Sequence, residues 1–225
     1  MVGPPPAGWG QGSRSWDWRS SPPRWGGSRL HREAPVRRSP QPRWHGAHPA
    51  TVHDGATLTL AGGRSCRVRP IRGSDRDLKR EFLAGLSARA RYNRFLGAVR
   101  ELSPEALDRL VRVDYRSQMA LVALAGEGGG ERIVGVARYA AAPGSLSCEL
   151  SVAVTDAWQR RGLATILARR LLEYARLSGF TRVTVSTFAD NVPMIRLAQR
   201  LGMRPAAGQP SSSIIEMELL LPEVV

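Results

Sequence analysis

Glu149-Leu150-Ser151-Val152-Ala153-Val154-Thr155-Asp156-Ala157-Trp158-Gln159-Arg160-Arg161-Gly162-Leu163-Ala164 is the stretch that decides how this chain folds. Residues 147–154 carry the apolar pattern of a strand, and Ile166, Leu167, Leu171, Leu172 and Ala175 then recur at helical spacing. Between them lies a basic turn with one glycine, so a strand feeds directly into a helix N-terminus. The first N–H groups of a helix have no partners within it, and the helix dipole adds partial positive charge there. Together they can bind a phosphate or pyrophosphate. Gly162 permits close backbone approach, Ala164 keeps the next turn small, and Arg160 and Arg161 add charge. An ordinary helix start with a surface arginine pair fits the spacing equally well.

Downstream, Gly179 ends that helix, and the β-branched run from Thr181 to Phe188 predicts a strand. A helix over Asn191 to Leu201, closed by Gly202, and a strand from Ser213 to Leu221 complete the chain. Upstream, Ser147 to Val154 is preceded by a predicted hairpin of Met119–Leu124 and Ile133–Tyr139, turning at Gly128-Gly129-Gly130. Ser103-Pro104-Glu105 is a helix start with cap, proline and acid in order. A short helix is expected over residues 88–98. Ser74 and Asp75 offer caps for another helix carrying Leu78, Phe82, Leu83 and Leu86. Cys66 to Arg72 alternates as an opening strand. The order β-α-α-α-β-β-β-α-β-α-β predicts an α/β (α+β) fold: a mixed sheet with helices on both faces.

The first fifty residues differ in kind. Five of the six tryptophans, nine of the sixteen prolines and His31, His45 and His48 lie there, with almost no Val, Ile or Leu. Such a stretch cannot bury enough apolar surface to offset its ordering entropy, so residues 1–64 are expected to be a disordered tail. Residues 65–225 are expected to form one domain. Interleaved Trp and Arg in the tail resemble a single-strand stacking platform, though a linker or an overextended start is favoured.

The net charge of +14 invites a nucleic-acid reading. The tail holds eight Arg against Asp17 and Glu33, so +6 of that charge sits outside the domain. The remaining +8 is spread over many segments, which favours solvated surface over a nucleic-acid site. A moderate positive field would still attract an anionic cofactor. Cys66 and Cys148 are too few for a disulfide scaffold, which makes a reducing cytoplasm the default. No run approaches a membrane span, and no signal layout opens the chain.

Lys79 is the sole lysine, so a Walker loop is excluded, and one glycine is too few for a dinucleotide fingerprint. No histidine follows His53. A Ser-His-Asp or Cys-His nucleophile therefore cannot form in the domain, and no usual zinc site is expected.

Gln159-Arg160-Arg161-Gly162-Leu163-Ala164 resembles the Arg/Gln-x-x-Gly-x-Gly/Ala signature of the GNAT superfamily of N-acetyltransferases. Val68-Arg69-Pro70-Ile71-Arg72, Tyr92-Asn93-Arg94-Phe95, Val113-Asp114-Tyr115, Val134 to Tyr139 and Asp156-Ala157-Trp158-Gln159 are similar to the bacterial protein-lysine acetyltransferase (Pat-type) subgroup. The resemblance implies a mixed, mostly antiparallel sheet of about six to seven strands, and acetyl-CoA as co-substrate with no metal. It implies that the backbone at Gln159, Arg160, Arg161, Gly162, Leu163, Ala164 and Thr165 holds the CoA pyrophosphate. The Val152 and Val154 backbone would pair with the pantetheine arm, and Asn191 would lie near it. An N-cap for the following helix is an equal reading of Asn191.

The same resemblance makes Glu149 the general base, against the competing view of a surface strand residue. Many relatives carry a tyrosine acid where this chain has Ala198, so no general acid is assigned. Tyr139 reads as a packing aromatic and Cys148 as a buried thiol. The implied acceptor is a protein lysine, with an acyl-CoA synthetase as the first substrate to test. A small-molecule amine is the alternative, and a non-catalytic CoA-binding module is the second class. The tail is too short and too poor in apolar residues for a cyclic-nucleotide sensor, so cAMP control is not predicted.

Overall fold

The computed structural model describes residues 55–99, 102–126, 130–207 and 213–222. The predicted tail up to residue 54, with its histidines, and most of the 128–130 turn lie outside the described residues.

Thirteen elements follow in order: β1 (Ala56–Thr59), β2 (Ser65–Pro70), α1 (Arg76–Ala84), α2 (Ala88–Phe95), α3 (Pro104–Val111), β3 (Gln118–Ala125), β4 (Arg132–Ala140), β5 (Ser147–Val154), α4 (Leu163–Leu177), β6 (Arg182–Phe188), α5 (Val192–Arg200), β7 (Arg204–Pro205) and β8 (Ile214–Leu220). Among the described residues the sheet has eight strands in the order β1-β2-β3-β4-β5-β6-β8-β7, one more than the upper expectation. All neighbours are antiparallel except β5 and β6. The mixed, mostly antiparallel sheet is therefore as the sequence predicts.

β1 precedes residue 65, where the sequence reading starts the domain. Ala56–Thr59 pairs with β2 from Ala56↔Val68 to Thr59↔Ser65. Leu60 is buried beyond it, and its N–H donates to Arg64 O at 2.8 Å. Four residues are too few for a period-2 signal to stand out from the polar segment before them.

β3 is apolar from Met119 to Ala125 because both of its faces are covered. Met119, Leu121 and Ala123 join the core under α4, whose Leu163, Leu167 and Leu171 are fully buried. Burying each such leucine contributes about 1.5–3 kcal/mol. Ala120 and Val122 point the other way, to a second core with Phe82 and Leu83 of α1 and Leu107 and Val111 of α3. Helices thus cover both faces.

The caps follow the sequence in part. Ser103 Oγ accepts from Ala106 N at 3.2 Å, with Pro104 opening α3. Asp75 stands at the start of α1 but does not cap it. Its carboxylate takes both Arg69 nitrogens at 2.7 Å and the Arg72 N–H at 2.8 Å. Burial alone would raise its pKa, but the Arg69 and Arg72 contacts hold it below the usual carboxylate value. This pair fastens the end of β2 to the helices that follow. α2 stops at Phe95, short of the expected residue 98, where Leu96 turns left-handed (φ 49°).

Gly135 on β4 lets α4 lie close. A Cβ there would stand 3.1 Å from Leu163 Cδ2 and 3.2 Å from Leu167 Cδ1. Gly135→Val should therefore cost about 1–3 kcal/mol in urea unfolding. Gly73→Ala, where a Cβ meets nothing within 4 Å, should stay within about 0.5 kcal/mol. Equal stability of the two variants would refute the close approach.

Candidate functional site

β5 changes neighbours along its length. It pairs with β4 from Glu149 to Val154, but with β6 only over Ser147–Glu149. Beyond Thr184, β6 continues alongside β8 and leaves the far half of β5 without a partner on that edge. The Thr155 N–H donates to Val134 O at 3.0 Å, which makes residues 134 and 155 a bonded pair of the ladder. Antiparallel pairs alternate, so the amides and carbonyls of Val152 and Val154 point away from β4 into the opening. They form an unfilled strand edge.

That edge leads to the basic turn. A single 3-10 turn, Asp156–Trp158, buries Trp158, and Gln159 Nε2 donates to Val154 O at 3.0 Å and to Asp156 Oδ1 at 2.8 Å. The Val154 carbonyl is thus already engaged, while the Val152 groups have no described partner. Arg160 (φ 57°) and Gly162 (φ 87°) are both left-handed, a conformation that favours glycine. A Cβ on Gly162 would meet nothing within 4 Å, so the space beside it is open. The first α4 bond from this turn runs from Ile166 N to Gly162 O, at 3.1 Å. Leu163, Ala164 and Thr165 therefore present free N–H groups, and no described side chain caps them. Leu163 contributes its amide only, since its side chain lies in the core. The arrangement suits an anion.

Glu149 lies five residues from Val154, about 17 Å along the strand at ~3.4 Å per residue. Its Oε2 is buried with no hydrogen-bond partner among the described residues. Burial pushes the carboxyl up to about 7. The Ser186 hydroxyl and N–H oppose that rise, Glu216 adds to it, and Arg94 works against it. A carboxylate poised near neutrality with one free oxygen can accept a proton. Helix α2 packs over this part of β5. Its Tyr92 ring stacks on Phe188 at 4.7 Å and 9°. Arg94 and Ser186 are the contributors that reading the sequence missed. Arg94 sits in a recognisable motif without a stated role, and Ser186 carries no sequence signal.

The other named residues separate. Asn191 is buried at the start of α5, but its side chain makes no cap. Nδ2 donates instead to the buried Thr187 Oγ1 at 2.8 Å, which removes the N-cap reading. Tyr139 is fully buried, bonded to Arg116 O and Ser178 Oγ and set edge-on to Phe180, so it packs. Burial pushes the Cys148 thiol up to about 12. Ala198 is in the core. No group of three or more His, Cys, Asp or Glu among the described residues is placed to hold a metal ion. No helix among the described residues is long and apolar enough to cross a membrane.

Residues 88–203 match the family model described as the Acetyltransferase (GNAT) family. The chain is 41% identical to the Pseudomonas aeruginosa acetyltransferase PA5475 over 156 residues, 69% of this chain and 84% of that protein. The GNAT domain of S. lividans PAT superposes with a TM-score of 0.66 at 26% identity, covering 76% of this chain and 98% of that one. YncA from Salmonella typhimurium, a structure described with its cofactor acetyl-CoA, gives 0.55 at 21% identity, covering 71% and 95%. The last shows likeness of fold alone.

Lys79, the sole lysine, is buried on α1, with its Nζ 5.1 Å from the Phe82 ring centre. Desolvation, with the Arg94 and Arg138 charges, lowers its pKa well below the ordinary value. The unfolded chain holds this proton up to about pH 10.4, whereas the folded protein gives it up earlier. Stability should thus rise with pH between those two values, by about 1.4 kcal/mol per unit from this group. Lys79→Met should be more stable at neutral pH and lose that part of the slope, as measured by urea unfolding at pH 7 to 10. An unchanged slope would place the Lys79 amine in water.

Proposed function

The chain belongs to the GNAT acetyltransferase family, and from that premise we propose that it acetylates a protein lysine, with Glu149 as general base. Acetyl-CoA is the family's co-substrate and supplies an acetyl group activated as a thioester. The observation that carries the proposal is the pairing of two features on one strand. An unfilled backbone edge at Val152 and Val154 leads from free helix amides to a buried carboxylate with a free oxygen.

The division of labour follows from the geometry. The amides of Leu163, Ala164 and Thr165, with the left-handed turn at Gly162, hold the pyrophosphate, and Gln159, Arg160 and Arg161 shape and charge that turn. The Val152 N–H and C=O align the pantetheine arm as an added strand would, and Val154 contributes its N–H. Asn191, fixed through Thr187, would lie near the pantetheine arm as the family resemblance implies. An ammonium group has no lone pair for attack, so the acceptor must lose a proton. Glu149 Oε2 takes it, directly or through water. Burial fits the carboxyl for this because its pKa lies nearer that of an amine than an exposed glutamate's does. Attack on the carbonyl then breaks the C–S bond and releases the thiolate.

The lysine acceptor rests on the Pat-type motifs and on likeness to the S. lividans PAT domain. An acyl-CoA synthetase is the first substrate to try, and the cytoplasm is the compartment such a substrate implies.

Glu149→Gln should lower turnover by about 10²–10⁴-fold while leaving CoA affinity by calorimetry unchanged. In the unaltered enzyme kcat/KM should rise with pH through about 7, because the protonated carboxyl cannot accept a proton. The variant should lack that limb. Labelled acetyl-CoA with a lysate, followed by mass spectrometry, should find acetylated lysine side chains. Turnover indifferent to Glu149→Gln would overturn the base, and label confined to small amines would overturn the lysine acceptor.

A further inference from the structure

The β1–β2 turn, which the sequence reading assigns to the tail, reaches the basic turn. Arg64 Nη1 donates to Ala157 O at 3.3 Å, and the Arg64 guanidinium lies 5.5 Å from the Trp158 ring centre. From the other side, Arg161 Nε donates to the same Ala157 O at 3.3 Å, and its Nη1 to Ala61 O at 3.2 Å. Gly62, left-handed at φ 84°, admits this contact, since a Cβ there would fall 2.6 Å from Arg161 Nη1. Two guanidinium groups therefore meet on one carbonyl oxygen.

Like charges held together at a surface repel, and a carboxylate between them would usually offset that. No described carboxylate bonds to Arg64 or Arg161. Asp156, the acid of this turn, is engaged by Gln159 Nε2 at 2.8 Å and lies within 3.4 Å of Ser87 Oγ. Backbone carbonyls orient the pair without neutralising it. Such a site suits a dianion, because guanidinium forks match phosphate oxygens.

The position narrows the ligand, given the reading above that the α4 amides hold the CoA pyrophosphate. The pantetheine arm leaves that point along β5 toward Glu149, so the adenosine end must leave on the other side. Arg64 is exposed and bonds the turn at Ala157 O. We propose that Arg64 and Arg161 together seat the 3′-phosphate of CoA, which makes the β1–β2 turn part of the cofactor site.

Calorimetric titration of CoA and of 3′-dephospho-CoA into the full chain and into Arg64→Ala tests this. The unaltered protein should prefer CoA, and Arg64→Ala should bind CoA about tenfold more weakly while binding 3′-dephospho-CoA unchanged. Arg64→Lys should recover part of the preference, and salt should shrink it. Thermal unfolding of each variant checks that the fold persists. Equal weakening toward both ligands would assign Arg64 to the pyrophosphate and overturn the proposal, as would no weakening toward either. Failure of the unaltered protein to bind either ligand would sink the α4 reading itself, and this proposal with it.

Discussion

The parting of β5 from β6 after Glu149 is the constraint on which the rest of the site depends. Backbone N–H and C=O groups inside a sheet are ordinarily all paired, because leaving one buried and unbonded costs about 1–3 kcal/mol. Here β6, paired with β8 throughout, parts from β5 after three shared positions, and the far half of β5 keeps its bonds to β4 alone. The register set by Thr155 and Val134 then sends the Val152 and Val154 groups into the opening. A strand edge exposed inside a sheet, rather than at its border, is a place for an extended ligand.

Both ends of that edge are built by the elements next to it. At one end the chain must leave β5, bury Trp158 and enter α4 within a few residues, which forces two left-handed residues and leaves helix amides uncapped. At the other end Glu149 is buried within reach of the Arg94 charge from α2, whose Tyr92 stacks on Phe188 of β6. Burial raises the carboxyl and the neighbouring charges trim the rise. Lys79 on α1 is buried as well, and desolvation together with the Arg94 and Arg138 charges lowers its pKa.

The Gly162 turn, its free amides and the strand–turn–helix order were legible in the sequence, because each depends on residues adjacent along the chain. Residues 147–154, 163–177 and 192–200 form the elements that periodicity predicts. Asp75 was offered as a cap and a cap was one of two readings of Asn191, but neither side chain caps its helix. Both types are good caps in isolation, but Arg69 and Thr187 offered them buried partners instead. β1 escaped notice since four residues carry no period, and with it went Arg64.

By itself, then, the sequence determined most of the elements, their order, the basic turn at Gly162 and the strand that carries Glu149, since these are local matters of spacing and backbone preference. Only the tertiary structure decided which strand parts from which, that Ser186, Glu216 and Arg94 surround the carboxylate, and that a hairpin nearly a hundred residues upstream meets the turn at Ala157. Those facts join residues remote in the chain through packing and burial. No local pattern records them.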